Sequence, residues 1–307
     1  MAEEVCIGTG GWGYFSGGLQ TYAKAFEFVE INTTFYRLPP LKDISRWRQK
    51  VPPSFVFSVK APRQITHLSG RIDGPTAREY LAATATVCGH LNARWLILEY
   101  PPWREFDMGD TAALADLAST IKAKTTVCLE VRAYRGCELP PKLAKMMEDE
   151  GIVDVVDPIV QEPRTVSDQA YLRVFGKGEH NVYQPTDEEL EDMDDKVSRG
   201  GLDFTVFAFH GVKMYRDAAR FTAFKQTGRF PKVTKGDGLS SLDEVLREDA
   251  VFPASKDELI RSQGWKLIDL AETKRVRASV LLRQLEERTY ASSSDVMFAL
   301  APSSGAI

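Results

Sequence analysis

Eight short runs of apolar, β-branched and aromatic residues recur through the first part of the chain, near 4–9, 27–32, 55–60, 94–100, 125–131, 152–157, 170–175 and 203–209. Runs of this length, bounded by turn residues, read as strands. Most are separated by segments with helical spacing, such as Tyr80, Leu81, Thr84, Cys88 and Leu91, or Leu114, Leu117 and Ile121. Strands that alternate with helices build a parallel sheet, and eight of them in one chain predict an α/β fold, a TIM-like (β/α) barrel. One connection departs from the pattern: 158–169, with Pro158 and Pro163, is a poor helix and predicts a plain loop, so the barrel is expected to be somewhat irregular there.

The strands carry a second signal. Successive side chains of a strand alternate between faces, so in Cys128-Leu129-Glu130-Val131-Arg132 the two charged residues share one face while Val127, Leu129 and Val131 share the other. Carried to every strand, the same phase places Glu30 and Asn32, Lys60, Glu99, Glu130 and Arg132, Asp157, Arg173 and His210 on the inward side near the C-terminal strand ends. In a parallel barrel these ends form one mouth, the usual place of a barrel enzyme's site. Buried ion pairs are weak devices for stability, because desolvation offsets their attraction, so seven charges on one phase predict a functional site. A structural lattice, through a Glu130–Arg173 or an Arg132–Asp157 bridge, is the plainer alternative.

The residue types suggest roles. Arg132 and Arg173 can grip a phosphate or carboxylate with a planar fork. Lys60 and Glu130, close to other charges, are candidates for shifted pKa values and proton transfer, with Lys60 equally suited to anion binding or a Schiff base. Asp157 can orient a cation or bind a metal. Around the same end, Gly8-Thr9-Gly10-Gly11-Trp12 allows a backbone amide to approach a ligand. Trp12 and Tyr36 are candidates to stack on a ring, whereas Phe35 and Trp103 are expected to plug loops onto the barrel.

Other chemistries find little support. The four histidines, His67, His90, His180 and His210, form no H-E-x-x-H pair, and no Gly-x-Ser-x-Gly elbow occurs. No cofactor motif is evident; carboxylates with one or two histidines leave a divalent metal chemically open, although the cations at the mouth argue against tight binding. Cys6, Cys88, Cys128 and Cys137 have no C-x-x-C spacing, and Cys6 and Cys128 read as small core residues. A formal net charge of -4 lacks the basic footprint of most nucleic-acid binders, and no run approaches the length of a membrane span. A cytoplasmic protein is the expectation.

Helix punctuation agrees with the barrel: Thr186 and Glu189 have capping-box spacing, and Gly151 and Gly228 stand where helices should stop. The barrel is expected over 1–230. From 231 to 307 a long Gly-, Pro-, Asp- and Ser-rich stretch with one short helix should lead into a small helical extension, with helix-like segments at Asp257–Arg261, Val276–Glu287 and Ser293–Leu300. Its apolar stripes read as core, and contact with a protein partner is the sharper alternative.

Val29-Glu30-Ile31-Asn32-Thr33-Thr34-Phe35-Tyr36-Arg37-Leu38-Pro39 closely resembles the signature of the YecE-like family (domain of unknown function 72). Gly8-Thr9-Gly10-Gly11-Trp12, Phe57-Ser58-Val59-Lys60-Ala61-Pro62-Arg63 with Ile65-Thr66-His67, Pro101-Pro102 and Glu130-Val131-Arg132 follow in the family's order. The resemblance spans about residues 5 to 228. It implies an archaeal-type member with a C-terminal helical extension, an α/β barrel, and His67 among the substrate-binding candidates; it supplies no reaction. The chain departs from the family pattern twice. Phe175-Gly176 stands where a His-Gly pair commonly follows the seventh-strand arginine, and Phe209-His210-Gly211 stands for Phe-Asn-Asn, so His210 is a candidate to compensate.

These readings converge on an enzyme acting by hydrolysis or isomerisation on a small or polymer-linked anionic substrate, with Glu130, Asp157 and Lys60 as the chemical groups. A protein gripping a nucleic-acid phosphate backbone, and a ligand sensor, are the alternatives.

Overall fold

The eight apolar runs form eight parallel strands: β1 (Glu4–Thr9), β2 (Phe28–Ile31), β3 (Val56–Lys60), β4 (Trp95–Tyr100), β5 (Thr126–Val131), β6 (Val153–Val156), β7 (Gln169–Val174) and β8 (Phe204–Phe209). They close into a barrel in sequence order, β8 pairing with β1 from Glu4↔Phe204 to Thr9↔Phe209. The computed structural model describes residues 4–68, 72–106, 108–121 and 125–301; the remainder, including the end of the expected extension, lies outside the described residues.

Helices α1 (Gly18–Ala25), α2 (Leu41–Gln49), α3 (Pro75–Leu91), α4 (Met108–Ile121) and α5 (Pro141–Glu150) occupy the first five connections, α6 (Asp187–Ser198) the seventh, and α7 (Met214–Thr227) follows β8. Between β6 and β7 the chain runs through turns and bends, as the prolines predicted. Gly151 and Gly228 end their helices at φ 65° and 69°, a left-handed geometry that glycine adopts without a Cβ penalty. The capping box also forms: Glu189 N–H donates to Thr186 Oγ1 at 3.2 Å, and Thr186 N–H to Glu189 Oε2 at 3.0 Å.

Inside the barrel, one phase of the strands supplies an apolar floor and then, on every strand but β1, a charged layer. Phe28, Trp95, Ile97, Cys128, Val155, Tyr171, Phe204 and Ala208 belong to one buried cluster. Two residues further along the same strands stand Glu30, Glu99, Glu130, Asp157, Arg173 and His210. Trp95 anchors the floor with ring centroids 5.0 Å from Phe204, 5.7 Å from Tyr171 and 6.3 Å from Phe28. Cys6 and Cys128 are buried core thiols, as expected, and burial raises both pKa values.

The chain divides into two compact units, the first of Met1–Lys177, Asp192–His210 and Met214–Ala219, which holds all eight strands, and the second of Gly178–Glu191, Gly211–Lys213 and Arg220–Ile307. In the second, helices α8 (Leu239–Asp249), α9 (Lys256–Gln263), α10 (Ser279–Leu282) and α11 (Ser293–Leu300) share a core that includes Leu242, Leu246, Leu259, Ile268, Leu282, Tyr290 and Val296. Of the expected helix at Val276–Glu287 only the short α10 forms, and Val276 and Arg277 are strand. Instead β10 (Leu267–Ala271) and β11 (Lys274–Arg277) form an antiparallel hairpin, and β9 (Ala254–Ser255) pairs with β12 (Thr289–Tyr290). Ile268↔Val276 in that hairpin brings Val276 against the core from a strand, so packing overrides the helical spacing that follows it.

Candidate active site at the barrel mouth

Arg173 is the centre of the charged layer. It stands on β7 one inward step above Tyr171, is 1% exposed, and spends its whole guanidinium on side chains from four other strand ends. Nη1 donates to Glu99 Oε2 at 2.6 Å and to Glu130, Nη2 to Glu30 Oε1 at 3.0 Å, and Nε to His210 Nε2 at 3.3 Å. Glu99 and Glu130 are register partners on β4 and β5, so parallel pairing brings two carboxylates side by side and Arg173 holds both. Burial works against the charge of Arg173, but Glu30, Glu130 and Glu99 together raise its pKa well above the ordinary value.

Glu99 collects two more cations. Lys60 Nζ lies 2.8 Å and Arg132 Nη2 2.8 Å from its Oε2, while Arg132 Nε donates to Glu130 Oε1 at 2.8 Å. Three carboxylates thus face three cations in a locally neutral network. Burial would raise the pKa of Glu99, yet Arg173, Lys60 and Arg132 bring it down to about 2. Burial likewise opposes the charge of Glu30, which Arg173 nevertheless holds well below the usual carboxylate range. The pKa of Lys60 is lowered, first by burial and then by Arg173, with Glu99 opposing.

Arg132 differs from its neighbours. Just past the end of β5, its side chain is 33% exposed, and its Nη1 has no partner among the described residues. A guanidinium carries five donors, so this one retains an outward edge after serving Glu99 and Glu130.

Beneath the network, Tyr171 donates to Glu30 Oε2 at 3.0 Å and shares a 2.6 Å hydrogen bond with Ser58 Oγ. His210 Nε2 lies 3.4 Å from Glu30 Oε2 as well as within reach of Arg173. Arg173 Nε–H can only donate, so Nε2 is the acceptor and the neutral ring carries its proton on Nδ1. Burial and Arg173 lower the pKa of His210, consistent with that tautomer. Its ring stacks on Phe175 at 4.7 Å and 25°, so two of the three positions read as departures from the family pattern pack on each other. The backbone of Gly10 also approaches closely: a Cβ there would lie 2.3 Å from the His210 ring.

Of the predicted residues, Glu30, Lys60, Glu99, Glu130, Arg132, Arg173 and His210 are therefore brought together. Asp157 stands apart, bonded to Arg135 Nη2 at 3.0 Å and to the Gly176 N–H at 2.9 Å, and burial pushes its pKa up to about 6 against the pull of Arg135. Trp12 packs edge-on against Trp47 at 5.0 Å. Asn32 Oδ1 is buried without a hydrogen-bond partner among the described residues. His67 sits on a π-helical turn, Gln64–Leu68, with Nδ1 2.8 Å from Thr66 Oγ1 and Nε2 3.9 Å from Glu99 Oε1. Tyr36 is 65% exposed. Trp103 is 75% exposed, which corrects its expected role as a loop plug: its ring meets His67 edge-on.

Tyr171 and Ser58 were missed because the inward phase was read only near the C-terminal strand ends, and Phe175 was noted only as a departure from the family pattern. Tyr171 and Ser58 lie two residues before Arg173 and Lys60, where strand alternation would have found them. Among the described residues, no group of three or more His, Cys, Asp or Glu side chains is arranged to hold a metal ion. The three clustered carboxylates are turned toward Arg173, which a cation would have to displace, so this donor set does not fit a divalent metal.

Residues 8–229 match the model of a family described as Protein of unknown function DUF72. Over 114 residues the chain is 30% identical to UPF0759 protein YunF of Bacillus subtilis, covering 32% of this chain and 40% of that protein, so it spans less than half the relative's length. Two solved structures share the fold. The DUF72 family protein of Enterococcus faecalis is 16% identical with a TM-score of 0.61, covering 74% of this chain and 98% of its own. That of Thermotoga maritima is 19% identical with a TM-score of 0.57, covering 73% and 100%.

Proposed function

The chain belongs to the family described as Protein of unknown function DUF72, and from that barrel frame we propose an enzyme that binds a phosphorylated substrate at the C-terminal mouth and moves a proton on it. The observation that carries this reading is the outward edge of Arg132. It is a partly exposed guanidinium, fixed by Glu99 and Glu130, with Nη1 left over. A preformed fork of this kind suits a tetrahedral oxyanion and loses little entropy on binding.

Proton transfer would fall to the groups around it. A depressed pKa and an Nζ on Glu99 support Lys60 as the base or proton donor, and Glu130 is the carboxylate most open to the mouth, at 14% side-chain exposure against 0–3% for Glu30 and Glu99. Arg173 is too deep to touch substrate; its work is to hold the three carboxylates in place. Such an acid–base pair next to an anion clamp serves either hydrolysis or isomerisation.

A thermal-shift screen of phosphorylated metabolites against their dephosphorylated forms tests the proposal. A ligand at about 100 times its dissociation constant adds about 2.7 kcal/mol of stability. Phosphorylated compounds should stabilise the protein, Arg132→Ala should remove the effect, and Glu130→Gln should keep binding while slowing turnover. Unchanged turnover of an identified substrate in both variants would overturn the assignment.

A further inference from the structure

The mouth has a second feature that the anion clamp does not explain. Four rings form a continuous ledge by edge-to-face contact: Tyr36 to Phe35 at 5.2 Å and 89°, Phe35 to His67 at 4.9 Å and 82°, and His67 to Trp103 at 5.9 Å and 79°. The two ends, Tyr36 and Trp103, are among the most exposed large aromatics of the chain. The middle is joined to the charged network twice, since Lys60 Nζ stands 3.9 Å from the Phe35 ring centroid and His67 Nε2 stands 3.9 Å from Glu99 Oε1. Arg132 reaches the other oxygen of the same carboxylate. Ledge and anion clamp thus meet across one glutamate, within the reach of one ligand.

Burial lowers the pKa of His67, with Glu99 opposing, so the ledge presents neutral ring faces at neutral pH. Exposed aromatic faces beside a cation are what a planar, apolar ring attached to an anion requires. A sugar ring alone would need polar side chains arranged around its hydroxyls, whereas each member of this ledge offers at most one polar tip. A nucleobase gains its affinity from π-overlap, roughly 1–3 kcal/mol per stacked base. Resting on the phosphate-binding reading above, we infer that the ligand is a nucleotide, its base stacked on the Tyr36–Trp103 ledge and its phosphate on Arg132. The unit can come as a free mononucleotide or as the end of a single strand.

The test measures binding of the four nucleoside 5'-monophosphates, of ribose 5-phosphate and of a 5'-phosphorylated tetranucleotide to wild type, Trp103→Ala, Tyr36→Ala and Arg132→Ala by calorimetric titration. Both aromatics are exposed, so their removal should leave the fold intact, checked by an unchanged thermal midpoint. At least one nucleotide-bearing probe should bind more tightly than ribose 5-phosphate. Trp103→Ala or Tyr36→Ala should weaken that probe by about 5- to 150-fold, the equivalent of one stacked base, and leave ribose 5-phosphate unchanged. A gain for the tetranucleotide over every mononucleotide assigns the unit to a strand; parity assigns it to a free nucleotide. If ribose 5-phosphate binds through Arg132 as tightly as any nucleotide, and neither aromatic variant matters, the nucleotide inference is wrong while the phosphate site stands. If no probe binds at all, both readings fall.

Discussion

Replacing Arg173 with methionine removes one charge and leaves a packable side chain, and its consequences can be worked from the geometry. Glu30, Glu99 and Glu130 would face only Lys60 and Arg132, and Glu30, which is fully buried, would keep only Tyr171 and a neutral His210. Taking away one partner of a buried ion network costs roughly 3–5 kcal/mol, because the remaining charge is stranded. For a chain of this size that is a fall in Tm of roughly 6–20 °C. The pH dependence is diagnostic. In the wild type Glu30 is held below its ordinary 4.5, so the stability it contributes is full above 4.5 and is lost as pH falls through the lower folded value. In Arg173→Met burial is no longer overruled and the folded pKa lies above 4.5; stability is then greatest below 4.5 and declines as pH rises. The deficit should be largest near pH 7.5 and shrink toward pH 4.5, as followed by urea denaturation at several pH values. Parallel stability curves, or a deficit under about 1 kcal/mol, which is the scale of an exposed pair, would refute the reasoning.

Two further outcomes follow from single sites. Gly10→Ala places a Cβ 2.3 Å from the His210 ring, which is held by Phe175 and Arg173; overpacking there should cost about 1–3 kcal/mol, read as a lower urea midpoint, and an unchanged midpoint would mean the ring is free to move. Asp157 has a folded pKa of about 6 against 3.8, so its contribution is full below 3.8 and is lost as pH rises to about 6, a span worth on the order of 3 kcal/mol. Asp157→Asn cannot ionise and should therefore gain on the wild type between pH 4 and 6.5, whereas a constant difference across that window would contradict a buried carboxyl whose desolvation outweighs the pull of Arg135.

Much of this was legible in the residues themselves. All eight barrel strands lie within a residue or two of the apolar runs, because a fully buried parallel strand needs such a run. The charged phase was equally readable, since alternation fixes which side chains face inward before any partner is known. Pairing was not: that Arg173 takes Glu30, Glu99, Glu130 and His210 at once depends on barrel closure, and that Asp157 takes Arg135 depends on the path of the loop after β5. The hairpin at Leu267–Arg277 was hidden because Lys274-Arg275-Val276-Arg277 puts one apolar residue among charges, too little to show a period. Trp103 was misjudged because a tryptophan after two prolines reads as an anchor, and exposure is a tertiary property.

The claim that the mouth is an anion site built around Arg132 is tested most directly by locating a heavy oxyanion in crystals. Tungstate soaked at low millimolar concentration is visible by its anomalous signal. The account predicts one strong peak within hydrogen-bonding distance of Arg132 Nη1, beside Lys60 and the His67–Trp103 end of the ledge, and its loss in Arg132→Ala. A peak that persists in that variant, or an empty mouth with anions bound only elsewhere on the surface, would contradict it.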